Sequence, residues 1–133
     1  MRIVLDTNVL LSGVATRGIC EAALDACLAS SEHTIVLSEH ILSEFARHYA
    51  GKFGMPADMT RLVVAFLRGQ AERVEPAKVT EGSCRDADDL PVLGTVVAAN
   101  ADCLVTGDAD LLSLREFSGH LILSPRQLYE RLA

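Results

Sequence analysis

Long apolar runs, paired cysteine motifs and an excess of positive charge are all missing from this 133-residue sequence. No apolar run approaches the roughly 18 residues that a membrane span requires. The opening "IVL" is interrupted at once by Asp6, and no basic segment precedes a longer apolar stretch, as a signal peptide would require. We therefore expect a cytoplasmic protein with no membrane association.

The four cysteines are widely separated and lack both C-x-x-C pairs and histidines at matching spacing, which excludes a typical zinc site. Reduced, packed thiols are expected at Cys20, Cys27, Cys84 and Cys103. The net charge of −6 argues against a broad basic surface that grips nucleic acid regardless of its sequence. A polyanionic partner would need local positive groups.

What is present is the composition of one globular domain spanning residues 1–133, with 50% hydrophobic residues and 23% charged ones. Short runs rich in Val, Ile and Leu predict buried strands at 2–5, 34–37, 103–105 and 121–123, with a weaker candidate at 73–75. Helical periodicity predicts helices at 18–30, 39–50, 57–70, 89–100, 109–115 and 125–132. This alternation predicts an α/β fold, a three-layer α/β/α sandwich with a central parallel sheet of four to five strands.

Acidic residues follow two of the predicted strands, at the sheet edge where α/β folds bind ligands. Asp6 ends the first strand, and "TGDAD" places Asp108 and Asp110 after a later one. Each also has a structural explanation, because Asp is a good helix N-cap and a negative charge in a first helical turn is favourable. Asp6 taken alone leaves capping and ligand binding equally open.

A third cluster weakens the capping explanation, because Asp86, Asp88 and Asp89 lie within four residues and a helix needs only one cap. Three carboxylates so close repel one another unless a cation joins them. Glu44 is at the margin of an apolar helical stripe and can point along the sheet edge, although an ordinary solvated Glu is equally expected. Oxygen ligands without His or Cys select Mg²⁺ or Mn²⁺, which usually act on phosphates.

Four segments, in this order, resemble the PIN domain family, and specifically its bacterial branch of toxins from toxin–antitoxin modules. They are "IVLDTNVLLSG", "LSEHILSEF", "CRDADDLPVLGTVVAANADCLVTGDADLL" and "LILSPRQLYERL", and the likeness covers residues 2–131. The resemblance implies a metal-dependent endoribonuclease that cleaves single-stranded RNA to 5′-phosphate and 3′-hydroxyl ends. It also implies a cognate antitoxin protein and a homodimer.

Carried over by position, the resemblance assigns catalysis and Mg²⁺ or Mn²⁺ binding to Asp6, Glu44, Asp89 and Asp108. Accessory acids would be Asp110, Asp88 and Asp86, and Thr7, Asn8 and Thr106 would orient ligands or water. Many family members carry a further acid or Asn where this chain has Leu90. Which of Asp86, Asp88 and Asp89 is the direct ligand therefore stays open, and we favour Asp89.

Other functions fit less well. A haloacid dehalogenase-type phosphohydrolase needs D-x-D-x-T. In this chain Asn8 stands in place of the second Asp, and Leu10 stands in place of the Thr. A receiver-like signalling module needs a Lys beyond a late strand, and neither Lys52 nor Lys78 is so placed. A catalytically inactive PIN-like binding module remains the alternative.

Several basic residues are less informative. We expect His40 and His48 to be structural or solvated. Arg47, Lys52, Arg61 and Arg68 are expected to form a solvated charged face, with contact to the RNA backbone or to an acidic antitoxin segment as the functional alternative.

Overall fold

The computed structural model describes residues 1–132, and its centre is a six-stranded sheet. The strands are β1 (Arg2–Leu5), β2 (Thr34–Leu37), β3 (Ala71–Arg73), β4 (Cys103–Val105), β5 (Glu116–Phe117) and β6 (His120–Leu123). In β1 the side chains of Ile3, Val4 and Leu5 are fully buried, although successive side chains point to opposite faces. Both faces of the sheet are therefore covered.

Seven helices and one 3₁₀ turn connect or follow the strands. They are α1 (Thr7–Ala15), α2 (Ile19–Ala29), α3 (Glu39–Ala50), α4 (Ala57–Gln70), the 3₁₀ turn Ala87–Asp89, α5 (Leu90–Ala99), α6 (Ala109–Leu114) and α7 (Pro125–Leu132). Helix α5 packs on β1 and β2, α2 packs against α1 and α7, and α3 lies between α1 and α4. None of the helices in residues 1–132 is long and apolar enough to cross a membrane.

The strand order β3-β2-β1-β4-β6-β5 puts β1 at the point where the chain reverses its direction across the sheet. From β1 the chain moves outward through β2 to β3, and it then returns to β4 on the other side of β1. Strands β1 to β4 and β6 are parallel, whereas β5 pairs with β6 in the antiparallel sense. Ligand crevices in such sheets form beyond the carboxyl ends of the strands at this reversal, which here is the β1–β4 boundary.

The structure confirms the predicted α/β architecture and most of its elements. Strands 2–5, 34–37 and 103–105 and helices 39–50, 57–70 and 125–132 have the predicted bounds. The weak strand lies at Ala71–Arg73 and not at 73–75, and the sheet has six strands where four to five were expected. The additional strand, β5, has two residues, too few to produce a periodic pattern.

Helix α1 was not among the predicted helices. Its nine residues contain no charged side chain, and five of them are buried, so the segment lacks the polar stripe that marks a surface helix. Asp6, which precedes α1, therefore has a helix to cap.

Candidate metal and nucleic-acid site

Asp6 lies at the carboxyl end of the central strand and is 6% exposed. One carboxylate oxygen accepts a hydrogen bond from the backbone N–H of Thr7 (2.8 Å) and caps α1. The other accepts from the hydroxyl of Thr106 (2.7 Å). Burial raises the pKa of Asp6, these two hydrogen bonds lower it, and the charges of Glu44 and Asp108 raise it further, so that the pKa lies above its ordinary value. Asp6 is thus a cap that also stands among other acids.

Thr106 joins the ends of the two central strands. Its hydroxyl donates to Asp6 and accepts a hydrogen bond from the backbone N–H of Asp108 (3.0 Å). The Asp108 carboxylate in turn accepts from the backbone N–H of Asp110 (3.1 Å) and caps α6. The capping explanation given for Asp6 and Asp108 is therefore confirmed, and Thr106 contacts both residues.

Asp89 ends the 3₁₀ turn at the start of α5 and is half-buried. Burial, followed by the charges of Asp6 and Asp108, raises the pKa of Asp89 to about 7. A hydrogen bond with Asp108 that favours the protonated form and the charge of Asp86 act in the same direction. Carboxylates from β1, from the β4–α6 turn and from the start of α5 thus influence one another strongly.

Glu44 reaches this group from α3, where it lies beside the buried stripe formed by Ile41, Leu42 and Phe45. Its side chain is 25% exposed, and one oxygen lies 3.4 Å from the hydroxyl of Thr7, which makes a long hydrogen bond. The Glu44 charge also raises the pKa of Asp6. The predicted marginal position of Glu44 is confirmed.

The accessory acids and Asn8 are more exposed. Asp86 accepts a hydrogen bond from the backbone N–H of Asp88 (3.0 Å) and begins the 3₁₀ turn. Asp110 lies 3.6 Å from the guanidinium of Arg85. Asp88 and Asn8 are exposed, and the charges that raise the pKa of Asp89 come from Asp6, Asp108 and Asp86. Asp88, although next in sequence to Asp89, is not among these charges and lines the surface beside α3 together with Glu44. We call Asp6, Asp89 and Asp108 the central group.

Sequence patterns gave little warning of the buried contact between two residues near the site. Ser38 follows β2 and caps α3, and its hydroxyl accepts a hydrogen bond from Thr95 of α5 (2.8 Å). Both residues are fully buried, and they fix the start of α3 against α5. Ser38 is recognisable as a cap from the sequence, but its partner is 57 residues away, and no local signal identifies it.

His40 is a third such residue. Its Nε2 atom lies 2.9 Å from an oxygen of Glu44, yet the N–H is not directed at that oxygen. Within residues 1–132 this buried nitrogen makes no hydrogen bond. His40 thus lies next to a candidate catalytic residue. From the sequence we expect only a structural or solvated histidine, and we do not predict this position.

The other basic residues serve different structural contacts. Arg68 and Arg73 both bind Glu39, with closest distances of 2.6 and 2.8 Å, and tie α3, α4 and β3 together. Arg61 pairs with Asp58 on its own helix. Arg47 is 71% exposed and lies 3.9 Å from Glu44. Arg47, unlike Arg61 and Arg68, therefore lies beside the candidate site.

The donor set fits a hard divalent cation. Within the described chain no three acidic, His or Cys side chains are already close enough to hold a metal ion. Mg²⁺, however, usually binds through one or two carboxylates and retains several waters. Asp6, Asp89 and Asp108 supply oxygen ligands whose mutual repulsion a cation would relieve. The residues present therefore suit Mg²⁺ or Mn²⁺.

Comparison with known proteins identifies the family. The model of the PIN domain matches residues 2–110, more than half of the chain, and the chain belongs to the PIN domain family. Members of this family are typically nucleases and generally bind a divalent metal. The resemblance inferred from the sequence motifs is confirmed. No curated protein matches the chain.

Two solved structures share the fold. One is VapBC2 from Rickettsia felis bound to a DNA fragment from its promoter, with a TM-score of 0.65, 17% identity, and coverage of 93% of this chain and 98% of that one. The other is VapBC-1 from nontypeable Haemophilus influenzae, with a TM-score of 0.65, 16% identity, and coverage of 95% and 99%. At this identity the likeness establishes the fold.

Proposed function

We propose that the protein is a metal-dependent endoribonuclease that hydrolyses phosphodiester bonds of single-stranded RNA. The observation that carries the proposal is the convergence of acids from three separate segments: Asp6 and Asp108, which are joined through the Thr106 hydroxyl, and Asp89, whose pKa both of their charges raise. Such convergence is costly for the fold unless a cation is bound, because like charges repel in a partly buried site. Membership of the PIN domain family supports the same activity.

Asp6 and Asp108 are proposed to hold the main ion, and Glu44 and Asp89 to complete the site or position the attacking water. A bound Mg²⁺ or Mn²⁺ ion would supply a more acidic water and neutralise charge that develops on the phosphate. Thr106 keeps the two main ligands in place, because its hydroxyl contacts both the Asp6 carboxylate and the Asp108 backbone. Thr7 has the corresponding contact with Glu44.

Cleavage of a labelled single-stranded RNA by metal-free protein, with EDTA or with added Mg²⁺, tests the proposal. Asp6→Asn and Asp108→Asn are each expected to lower the rate at least about a hundredfold, as loss of a charge-stabilising group commonly does. The matched control is Asp102→Asn, because Asp102 accepts a hydrogen bond from the Arg2 backbone at the other end of the sheet (2.6 Å). Full activity in EDTA, or equal losses in all three variants, would refute the assignment.

RNA binding without cleavage in any metal would instead identify the chain as a catalytically inactive PIN-like binding module. Thermal melting of the variants and of wild type in the same buffers distinguishes this outcome from misfolding. If wild type binds metal but cleaves no RNA, the assignment of the metal site would stand and the proposed reaction would be rejected.

We further propose that the protein is the toxin of a type II toxin–antitoxin module and acts in the cytoplasm. The support is the fold that it shares with two VapBC complexes. Coexpression with the product of a neighbouring small reading frame should suppress cleavage and yield a stable complex. Failure to find any such inhibitor beside an active enzyme would remove the toxin assignment and leave the nuclease.

A homodimer is proposed as well. Helix α4 exposes three large apolar side chains at helical spacing, with exposed fractions of 45% for Met59, 68% for Leu62 and 51% for Phe66. A row of this kind can pair with its own copy around a twofold axis. Light scattering of wild type and Leu62→Glu should show a dimer and a monomer, respectively, and a monomeric wild type would contradict the proposal.

A further inference from the structure

A small polar pocket opens beside the acidic group and shares Glu44 with it as a wall. Its volume is about 350 Å³, and it is lined by His40, Ser43, Glu44, Arg47 and Asp88. This volume is at the small end of the range found for ligand sites. Four of the five residues come from α3 at positions i, i+3, i+4 and i+7, which lie on one face of a helix. The pocket is therefore built by α3 and closed by the 3₁₀ turn that carries Asp88.

The polar groups of the pocket have few partners inside the protein. Within residues 1–132 the hydroxyl of Ser43 and the carboxylate of Asp88 make no hydrogen bond to another side chain or to the backbone. Nε2 of His40 is buried and also lacks a hydrogen bond in this part of the chain. Arg47 is 71% exposed, and its 3.9 Å contact with Glu44 is at the limit of an ion pair. Donors and acceptors are both available to a ligand.

The charges of the lining residues decide which part of an RNA chain fits best. Glu44 and Asp88 bring two negative charges and Arg47 brings one positive charge, so in the metal-free protein a phosphate would meet net repulsion. A nucleobase is neutral and offers donors and acceptors on its edges. Single-stranded RNA is commonly read in this way, with unstacked bases bonded along their edges and stacked on guanidinium planes.

Among the four bases, guanine matches the pocket best. Its N1–H and N2–H₂ groups are adjacent donors that can both donate hydrogen bonds to one carboxylate. Its O6 and N7 atoms are the usual acceptors of a bidentate contact from arginine. Asp88 and Arg47, which both line the pocket, supply these two groups. Uracil presents one N–H donor and lacks the amino group.

We propose that this pocket binds a guanine base of the RNA strand next to the cleaved bond, with Asp88 and Arg47 reading the base and Ser43 assisting. The inference rests on the proposed ribonuclease function and adds a sequence preference to it. It gives Asp88 a role other than the accessory metal ligand expected from the sequence.

The test measures binding of fluorescent single-stranded oligouridylates that carry one central G, A, C, U or inosine. EDTA prevents cleavage, and fluorescence anisotropy reports affinity. Wild type is expected to bind the G-containing strand about tenfold more tightly than the all-U strand, the effect of one good bidentate contact. Inosine, which lacks the N2 amino group, should fall between them.

Arg47→Gln and Asp88→Asn should each reduce this preference to about twofold or less. Arg61→Gln is the matched control, because it removes the same charge from an arginine that pairs with Asp58 on α4, and the preference should survive. No binding to any strand, no preference for G, or a preference unchanged in both pocket variants would overturn the inference. An equal loss for all strands would also overturn it, because it would place the RNA backbone in the pocket.

Mapping of cleavage ends in Mg²⁺ separates this inference from the proposed function. If the protein cleaves RNA but guanine does not occur at a fixed position beside the cut, the proposed nuclease activity would stand and the base pocket would be rejected. Selective binding of the G-containing strand without cleavage in any metal would retain the pocket and reject the nuclease. Guanine at one fixed position, lost in Arg47→Gln and Asp88→Asn, would support both.

Discussion

Replacing Asp89 by Asn should stabilise the metal-free protein at neutral pH. The substitution keeps the size of the side chain and removes the charge that burial and the carboxylates of Asp6 and Asp108 disfavour. In wild type this charge destabilises the folded state but not the unfolded chain. The variant lacks the charge and therefore lacks this destabilisation.

The expected size follows from the pKa of Asp89, which rises from 3.8 to about 7 in the folded state. One pKa unit corresponds to about 1.4 kcal/mol. Asp89 is only half-buried, so solvent screening reduces the effect to about 1 to 2 kcal/mol. For a domain of this size we expect melting about 3 to 8 °C higher at pH 8.

The sign of the pH dependence is also fixed. Between about pH 4 and pH 7 the folded state retains a proton on Asp89 that the unfolded chain has released. The free energy of unfolding of wild type therefore falls through this range and levels off above it. Asn does not titrate, so the gap between variant and wild type should be small at pH 4 and fully developed above pH 7.

Thermal melting in EDTA at several pH values measures this gap. The control is Asp88→Asn, which removes the same charge one residue earlier from an exposed side chain outside the central group. Its melting temperature should differ little from that of wild type. A gap that is absent, or that has the same size at pH 4 and pH 8, would refute the claim that these acids repel one another.

Two further substitutions test the packing behind the site. Gly94→Ala should lower the free energy of unfolding by about 1 to 3 kcal/mol, because the added Cβ would clash with the carbonyl oxygen of Ala77. Urea unfolding measures this cost, and Gly69→Ala on α4, where the added atom meets nothing within 4 Å, should instead be neutral or stabilising. Thr106→Val should lose about 1 to 3 kcal/mol by leaving Asp6 and the Asp108 backbone without their shared partner, whereas Thr106→Ser should retain most of the stability. A stable Gly94→Ala, or a Thr106→Val variant as stable as wild type, would show that these contacts contribute little.

The fold was largely predictable because its strands are short apolar runs and most of its helices have a polar face. Helix α1 escaped prediction for the opposite reason, since it has no charged residue. Strand β5 exists only because the Ser118–Gly119 turn folds two residues back against β6. Neither α1 nor β5 therefore shows a periodic pattern of polar and apolar residues in the sequence.

The candidate site was predictable as a set of acids but not in its details. Asp88 and Asp89 are neighbours in sequence, yet successive residues of a 3₁₀ turn point about 120° apart. One therefore joins the central acids, and the other lines the pocket beside α3. Thr95 acquires its partner Ser38 only through tertiary packing, so no spacing rule could have identified it. His40 lies four residues before Glu44 on α3, a spacing that the sequence does show.

Metal binding by the purified, metal-free protein is the most direct test of the central claim that Asp6, Asp89 and Asp108 await a cation. Thermal melting with and without millimolar Mn²⁺ measures it, because a ligand that binds only the folded state adds about 1.4 kcal/mol at ten times its Kd. Wild type and Asp102→Asn should melt several degrees higher in Mn²⁺, and Asp108→Asn should lose most of this shift. The absence of any Mn²⁺ effect on wild type would contradict the account.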